Sequence, residues 1–526
     1  MPTLSRSHGR PRAAAAGAVA GAVGVAASEL VAGIVPGAPS LVVAVGSLVI
    51  ALQPPGAKDV MTTLFGTNDK TALNVAVVVV AVLVGAVAGV LGRRSFGAAW
   101  RTFAGFGFVA FVAAFLEPLN SAPLAALNAA LATVAGVVTL RVLLADAGFV
   151  NPLVLGRATI TPPDPARSMP DWNRRRFLLR SGGFLGGALV AGTVGRMLVE
   201  RGHPAGAPVS ASLPASTEVV PPLVAADSLS APGVTPIVTP NDQFYRIDTE
   251  LLVPQVDASS WQLRVTGMVD HPLTLTYEEL LALPLFEQYV TLQCVSNNVG
   301  GNLVGNALWT GVHLKTILAE VGIQTGATQI VGRSLDGFTV GFPTAWALDP
   351  AREPMIALGM NRVPLPAEHG YPARLIVPGL YGYVSATKWL SEIELTTREA
   401  VDGYWVRLGW AKDGPIKTAS RIDHPTGGAS LAAGPVDVDG IAWAPDRGVS
   451  RVEVRVDSGP WKVAMLSRAI SKATWVQWLY RWPATAGTHT IEVRATDGTG
   501  MVQTATPGGP APAGATGYDQ VHVTVS

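Results

Sequence analysis

Cysteine is all but absent from this chain: Cys294 is the only one in 526 residues. Without a second thiol there can be no internal disulfide, so the fold is not stapled. Histidine is missing from one end, since of the eight present only His8 falls in the first 200 residues. That region therefore cannot offer the paired axial histidines of a b-type haem, and no CxxCH attachment site exists. A charge surplus is lacking too. The 38 basic and 37 acidic residues leave a net charge of +1, which removes any general pull toward nucleic acid or an acidic partner.

What is present is divided unevenly. The first 200 residues hold long apolar tracts, whereas the remainder has the mixed composition of a soluble protein. Four tracts, near 13–35, 72–92, 97–116 and 122–144, reach the length of about 20 residues that a bilayer-crossing helix needs. A further apolar stretch at 40–52 is too short and ends at Pro54–Pro55, so it reads as re-entrant or interfacial. Charge supports that count. Arg6, Arg10 and Arg12 precede the first tract, Arg93 and Arg94 follow the second, and Arg141 ends the fourth. With four spans, all of these arginines fall on the cytoplasmic side, as the positive-inside rule favours.

A basic, proline-bearing stretch leads to NRRRFLLRSGGFLGGALVAGTVG. Its Asn173–Leu179 segment resembles the twin-arginine export signal, with Leu179 where lysine is usual. No small-residue cleavage site follows, so 181–199 is expected to stay as a fifth membrane helix. That export route carries folded proteins, often ones loaded with a cofactor in the cytoplasm. Residues 201–236, rich in Ala, Pro, Ser and Val, suit an extended linker. From about 237, strand-like runs (WQLRVTGMV, HPLTLTY, TQIVGRS, GFTVGF, RLIVPG) mix with short helical ones (YEELLAL, HLKTILAEVG), which predicts an α+β domain. From about 401 the helical signal stops. Period-two runs such as VDVDGIAWA, VSRVEVRVDSG and GTHTIEVRATD then predict a β-sandwich.

Cys294 lies in TLQCVSNNVGG, between a strand-like run and a glycine pair. By itself it could be a buried thiol acting as a small hydrophobe, a nucleophile or a thiolate metal ligand. Its surroundings narrow the choice. TPNDQFYRID at 239–248, TLQCVSN at 291–297 with the Trp309–Val312 turn, LPAEHGYPARLIVPG at 365–379 with VSATKWLSEIEL at 384–395, and AWAPDRGVSRVEVRVDSGPWKVA follow one another. Together they resemble, in order, the motifs of the sulfite oxidase family of molybdenum enzymes across about 237–520.

The resemblance implies a Mo-molybdopterin cofactor with Cys294 as the protein's thiolate ligand to molybdenum, a soft donor suited to that metal. It implies that Asn241, Phe244 and Tyr245 line the pterin and that Asn297 braces the cysteine loop. His369, Arg374, Ser385 and Lys388 would form the cofactor pocket, which must supply donors and positive charge to a phosphate. Arg246 matches one of the substrate-side arginines of sulfite-oxidising members. Val299 and Leu358 stand where those members carry an arginine and a tyrosine, which implies a less cationic, more apolar pocket and makes a sulfoxide as plausible a substrate as a sulfur oxyanion. The C-terminal motif resembles the family's immunoglobulin-like dimerisation domain, so a homodimer is expected.

The architecture expected is thus multi-domain. A four-helix membrane domain with a re-entrant segment occupies 1–145, and a cytoplasmic loop with the twin-arginine-like motif and fifth helix occupies 146–200. The linker covers 201–236, the molybdopterin-binding α+β domain 237–400 and the immunoglobulin-like sandwich 401–526. The function expected is oxygen-atom or two-electron transfer on a small substrate by a multi-pass protein of the cell membrane whose catalytic domain is extracytoplasmic. Electrons would pass to or from a separate protein or a quinone. The competing reading is a non-catalytic receptor or adhesion protein whose sandwich binds a partner; it predicts no metal and no need for Cys294.

Overall fold

A computed structural model describes residues 10–53, 69–149, 171–201, 212–231 and 233–526. Arg6, His8, the loop ahead of Asp171 and residues 202–211 of the linker lie outside the described residues. The chain divides into two compact units, one of Met1–Ala205 with Glu250–Gln255, the other of Gly206–Thr249 with Val256–Ser526.

The regular secondary structure of the first unit, among its described residues, is helical: α1 (Arg10–Ile34), α2 (Leu41–Leu52), α3 (Asp69–Gly92), α4 (Phe96–Leu116), α5 (Ala122–Asp146) and α6 (Asp171–Arg201). Five of these are long and apolar enough to cross a membrane, and α2, with 12 residues, is not. Side chains set the ends. Ser40 and Ser95 cap α2 and α4 by accepting hydrogen bonds from Val43 N and Ala98 N, and Pro123 opens the first turn of α5.

Small residues let α1 and α3 meet backbone to backbone. A Cβ on Gly17 would lie 2.0 Å from Gly85 O, and one on Gly89 would lie 2.0 Å from Ala13 O. Some of the polar groups inside are partnered across helices: Ser40 Oγ donates to Glu29 Oε1 at 2.6 Å, and Asn128 Nδ2 donates to Ser28 O and Pro39 O. One boundary differs from the sequence expectation. α6 begins at Asp171 rather than near 181, so the arginine-rich motif is itself helical. The reason is local packing: Phe177 is buried against Leu140, Leu143 and Leu144, while Arg176 and Arg180 pair with Asp146.

The second unit opens with an α+β portion. Its strands are β1 (Gln262–Gly267), β2 (Leu273–Thr276), β3 (Phe286–Gln293), β4 (Val304–His313), β5 (Gln329–Ser334), β6 (Thr339–Pro343), β7 (Met355–Met360), β8 (Val363–Pro364), β9 (Arg374–Ile376) and β10 (Leu390–Thr396). They form one sheet in the order β2-β1-β10-β5-β6 and another in the order β3-β4-β7-β8, with β9 beside β7. Two of the helices fall where the sequence placed them, α7 (Tyr277–Ala282) and α8 (Leu314–Val321). A reciprocal cap starts α7: Thr276 Oγ1 accepts from Glu279 N, and Glu279 Oε2 accepts from Thr276 N.

The remainder is a β-sandwich. Its strands are β11 (Ala419–His424), β12 (Ser430–Leu431), β13 (Gly434–Trp443), β14 (Val449–Val456), β15 (Lys462–Val463), β16 (Met465–Leu466), β17 (Val476–Ala484), β18 (Gly487–Asp497) and β19 (Asp519–Val525). Sheets β11-β13-β17-β16 and β12-β19-β18-β14-β15 enclose Val438, Ala442, Val452, Val454, Trp478 and Val493. The alternation along β13 gives its opposite face, Ile441 and Trp443, to the core of the α+β portion beside Leu380, Tyr381 and Val384. One face of β13 therefore completes the core of the α+β portion, while the other lies in the sandwich's own core.

Candidate active site

Strand β3 delivers Cys294 to the mouth of a short loop. Cys294 N donates to Leu303 O at 2.9 Å and closes the neck, and Asn297 N donates back to Cys294 O at 3.1 Å. The Asn297 side chain is buried and accepts from Leu303 N at 2.8 Å, so it crosses the loop from within. Cys294 Sγ is partly exposed and lies 2.9 Å from Ser296 Oγ.

The 239–248 segment packs beside this loop. Asn241 is held by Asn361, whose Nδ2 donates to Asn241 Oδ1 at 2.7 Å and to Thr239 O at 2.9 Å. Asn361 adopts φ +51°, a left-handed conformation that asparagine tolerates, and its Oδ1 accepts from Leu308 N. Phe244 is buried, stacks on Tyr245 with centroids 5.1 Å apart, and meets Trp309 and His369 edge-on. The absence of a side chain at Gly305 makes room for the ring: a Cβ there would lie 2.7 Å from Phe244.

Beyond the aromatics is a cationic recess. Arg374 is 5% exposed, with its guanidinium 5.2 Å above the Trp309 ring. Its Nη1 donates to His369 O at 3.2 Å, its Nε has no partner, and burial lowers its pKa to about 10, so it stays charged at neutral pH. Lys388 is also buried, donates to Glu368 O at 2.8 Å and pairs with Asp248 Oδ2 at 3.1 Å. Burial outweighs that carboxylate and brings the lysine down to about 8. Arg246 binds the same Asp248 oxygen at 2.9 Å. One carboxylate thus serves two cations, while Arg374 makes no ion pair among the described residues.

His369 differs from expectation. Its Nε2 faces Asn241 O at 2.9 Å and must carry the proton, which leaves Nδ1 as a buried acceptor without a partner. Burial drives its pKa down to about 4, so this ring is neutral and adds no positive charge to the recess. Ser385 is fully buried, and its hydroxyl donates to Tyr381 O at 3.1 Å and Leu380 O, bonds that hold its own turn. The bonds of Arg246 run to Asp248 beside Lys388. Val299 is 37% exposed, and Leu358 is fully buried in the core of the α+β portion.

The surroundings of the thiol carry two phenols where the residue types at 299 and 358 implied an apolar wall. Tyr245 is within electrostatic reach of both Cys294 and Arg374, and burial raises its pKa strongly. Tyr381 also senses Cys294 and is pushed up to about 12, mainly by burial. Both are neutral hydroxyl groups at neutral pH. Asp248, Asn361 and Tyr381 escaped the sequence reading. The signals available were the Asp two residues after Arg246, the Asn of the MNR turn and the tyrosines of GLYGYVS.

Does molybdopterin fit these residues? A recess with more positive than negative charge, with Arg374 Nε and His369 Nδ1 buried and unpartnered, needs a polar, anionic occupant. A phosphate-bearing pterin supplies both features, so the residues fit the group.

Comparison with known proteins agrees. Residues 250–405 match the family model "Oxidoreductase molybdopterin binding domain", and 419–493 match "Bacterial Ig domain". Human mitochondrial sulfite oxidase is 30% identical over 302 residues, covering 49% of this chain and 55% of that protein. Sulfite oxidase of Gallus gallus is 29% identical over 315 residues, covering 51% and 68%. The "Uncharacterized oxidoreductase YuiH" of Bacillus subtilis (strain 168) is 34% identical over 154 residues, which are 29% of this chain and 74% of that protein. The chain thus spans about half the length of the first of these relatives. By its motifs, its recess and these matches, the chain belongs to the sulfite oxidase family of molybdopterin-dependent oxidoreductases.

Proposed function

We propose that this oxidoreductase is anchored in the cell membrane by its apolar helices and acts on the extracytoplasmic side, on a small sulfur oxyanion or sulfoxide. Its reaction is oxygen-atom or two-electron transfer. The observation that carries the reading is Arg374: a buried, charged guanidinium with an unspent donor, linked through Tyr245 to the surroundings of the only cysteine. An unpaired buried cation is costly unless an anion arrives to meet it. A receptor module has no use for such a group, which disfavours the adhesion reading.

In this reading Cys294 ligates molybdenum, and Arg374 and Lys388 hold the cofactor's phosphate. His369 accepts from the pterin through Nδ1, and Asn241, Phe244 and Tyr245 wall it in. When bound, the cofactor supplies the two-electron redox chemistry. Arg246 is the exposed cation that draws an anionic or strongly dipolar substrate, and it shares Asp248 with Lys388. Tyr245 and Tyr381 keep their protons at neutral pH and offer O–H donors to a substrate oxygen. Electrons enter or leave by a separate protein or a membrane quinone, and the sandwich mediates a homodimer.

The test is an assay of detergent-solubilised protein in both directions. Sulfite with ferricyanide reads oxidation, and dimethyl sulfoxide or methionine sulfoxide with a reduced viologen reads reduction. Turnover in one direction is expected. Molybdenum-loaded protein that turns over neither class contradicts the assignment.

A further inference from the structure

The sandwich grips the residues on both sides of Cys294. Ahead of it, β3 is bound edge to side chain: Thr291 N donates to Ala473 O at 2.9 Å, and Thr291 Oγ1 accepts from Trp475 N at 2.8 Å. The residue immediately before the cysteine, Gln293, accepts at Oε1 from the indole Nε1 of Trp443 at 2.8 Å, with both side chains buried. Beyond the cysteine, Arg421 of β11 donates from Nη1 to Gly301 O at 3.0 Å. Its other nitrogens are fixed as well, Nη2 to Thr235 Oγ1 at 2.8 Å and Nε to Asp423 Oδ1 at 2.6 Å. Asp519 of β19, which accepts from Ile422 N at 2.8 Å, presses on the same turn. Gly300 has φ +72°, and a Cβ there would stand 2.5 Å from Asp519 Oδ1.

These contacts have a mechanical consequence. The loop is closed at its neck by the Cys294 N to Leu303 O bond, so its simplest free motion is a swing of the whole loop about that neck. Trp443 anchors the strand feeding the neck, and Arg421 anchors the far turn. A swing must break one or the other. A metal–thiolate bond demands sulfur placed within tenths of an ångström, and groups outside the ligand shell supply that placement.

We propose that Trp443 and Arg421 of the sandwich are positioning residues for the Cys294 thiol, so that the immunoglobulin-like domain is part of the apparatus of the active site as well as an assembly module. The inference rests on the reading of Cys294 as the metal ligand, but the grip itself is a property of the protein alone.

A single cysteine makes the test site-specific. Full-length protein is purified from cells grown without molybdate, and the rate at which 5,5′-dithiobis(2-nitrobenzoate) labels its only thiol is measured. Trp443→Phe keeps the ring and removes the donor; Arg421→Lys keeps the charge and removes the fork. Trp482→Phe, in the sandwich core away from the loop, controls for ordinary loss of packing. Labelling is expected to rise about three- to tenfold in the first two variants, the range set by losing one buried hydrogen bond, and to change by less than about twofold in the control. In molybdenum-loaded protein, the Mo(V) paramagnetic resonance spectrum should shift in Trp443→Phe and not in Trp482→Phe. Wild-type labelling in both loop-anchor variants, at unchanged melting temperature, overturns the proposal, as does an equal rise in the control. If the wild-type protein holds no molybdenum, the ligand reading fails separately, and the labelling rates still decide the grip.

Discussion

Arg374 shows how much chemistry one residue can state. Burial costs a guanidinium its hydration, and the Trp309 face and one carbonyl return only part of it. A bound phosphate would complete the account through charge-assisted bonds worth about 1.5–3 kcal/mol each. Arg374→Ala is therefore expected to lower molybdopterin content, measured by fluorescence of the oxidised pterin released from purified protein, and to lower turnover only in proportion to that loss. Full occupancy in the variant would remove Arg374 from the phosphate site. Cys294 was legible as a candidate through its rarity and its TLQCVSN setting, and Arg374 and Lys388 through the resemblance of their stretches to the family's cofactor-binding motif. Asp248 and Asn361 were not, because their roles arise from partners 140 and 120 residues away in the chain. The neutral state of His369 was equally hidden, since only the bond to Asn241 O and the depth of the pocket set it.

Among the elements, helix boundaries in the apolar tracts were read to within a few residues, since length and hydropathy decide them. The start of α6 was missed by about ten residues because Phe177 and Asp146, rather than hydropathy, extend it. Arg174 and Arg175 remain exposed on that helix. If they are an export signal, changing both to Lys should leave residues 237–526 undigested when protease is added to intact spheroplasts, while α1 to α5 still insert. Lysine preserves charge, so a purely electrostatic stop-transfer flank would not notice the change, and wild-type digestion would contradict the export reading.

Strand β13 carries a different expectation. Asp439 is fully buried with both oxygens unpartnered, and burial, followed by Asp423 and Asp437, raises its pKa to about 7. A carboxyl raised in the folded state stabilises below its ordinary value near 4, and that contribution is lost as pH climbs to about 7. Asp439→Asn should therefore flatten the pH dependence, melting about 2–4 °C higher relative to wild type at pH 8 than at pH 5. Parallel melting curves for the two proteins across that range would refute it.

At the scale of the whole molecule, composition separated apolar helices from a region of mixed composition, and strand periodicity separated the α+β portion from the sandwich. It did not show that Ile441, Trp443 and Trp475 of the latter complete the core of the former, because a face is assigned to a neighbour only once the sheet is folded. The central claim is that this body holds molybdenum at Cys294. The most direct measurement is elemental analysis, with turnover, of full-length protein produced with molybdate, beside Cys294→Ser. The wild type is expected to carry about one molybdenum per chain, and the variant to lose turnover while keeping the β-rich circular dichroism of the sandwich. Wild-type protein with only trace molybdenum, or a serine variant with undiminished turnover, would contradict the account.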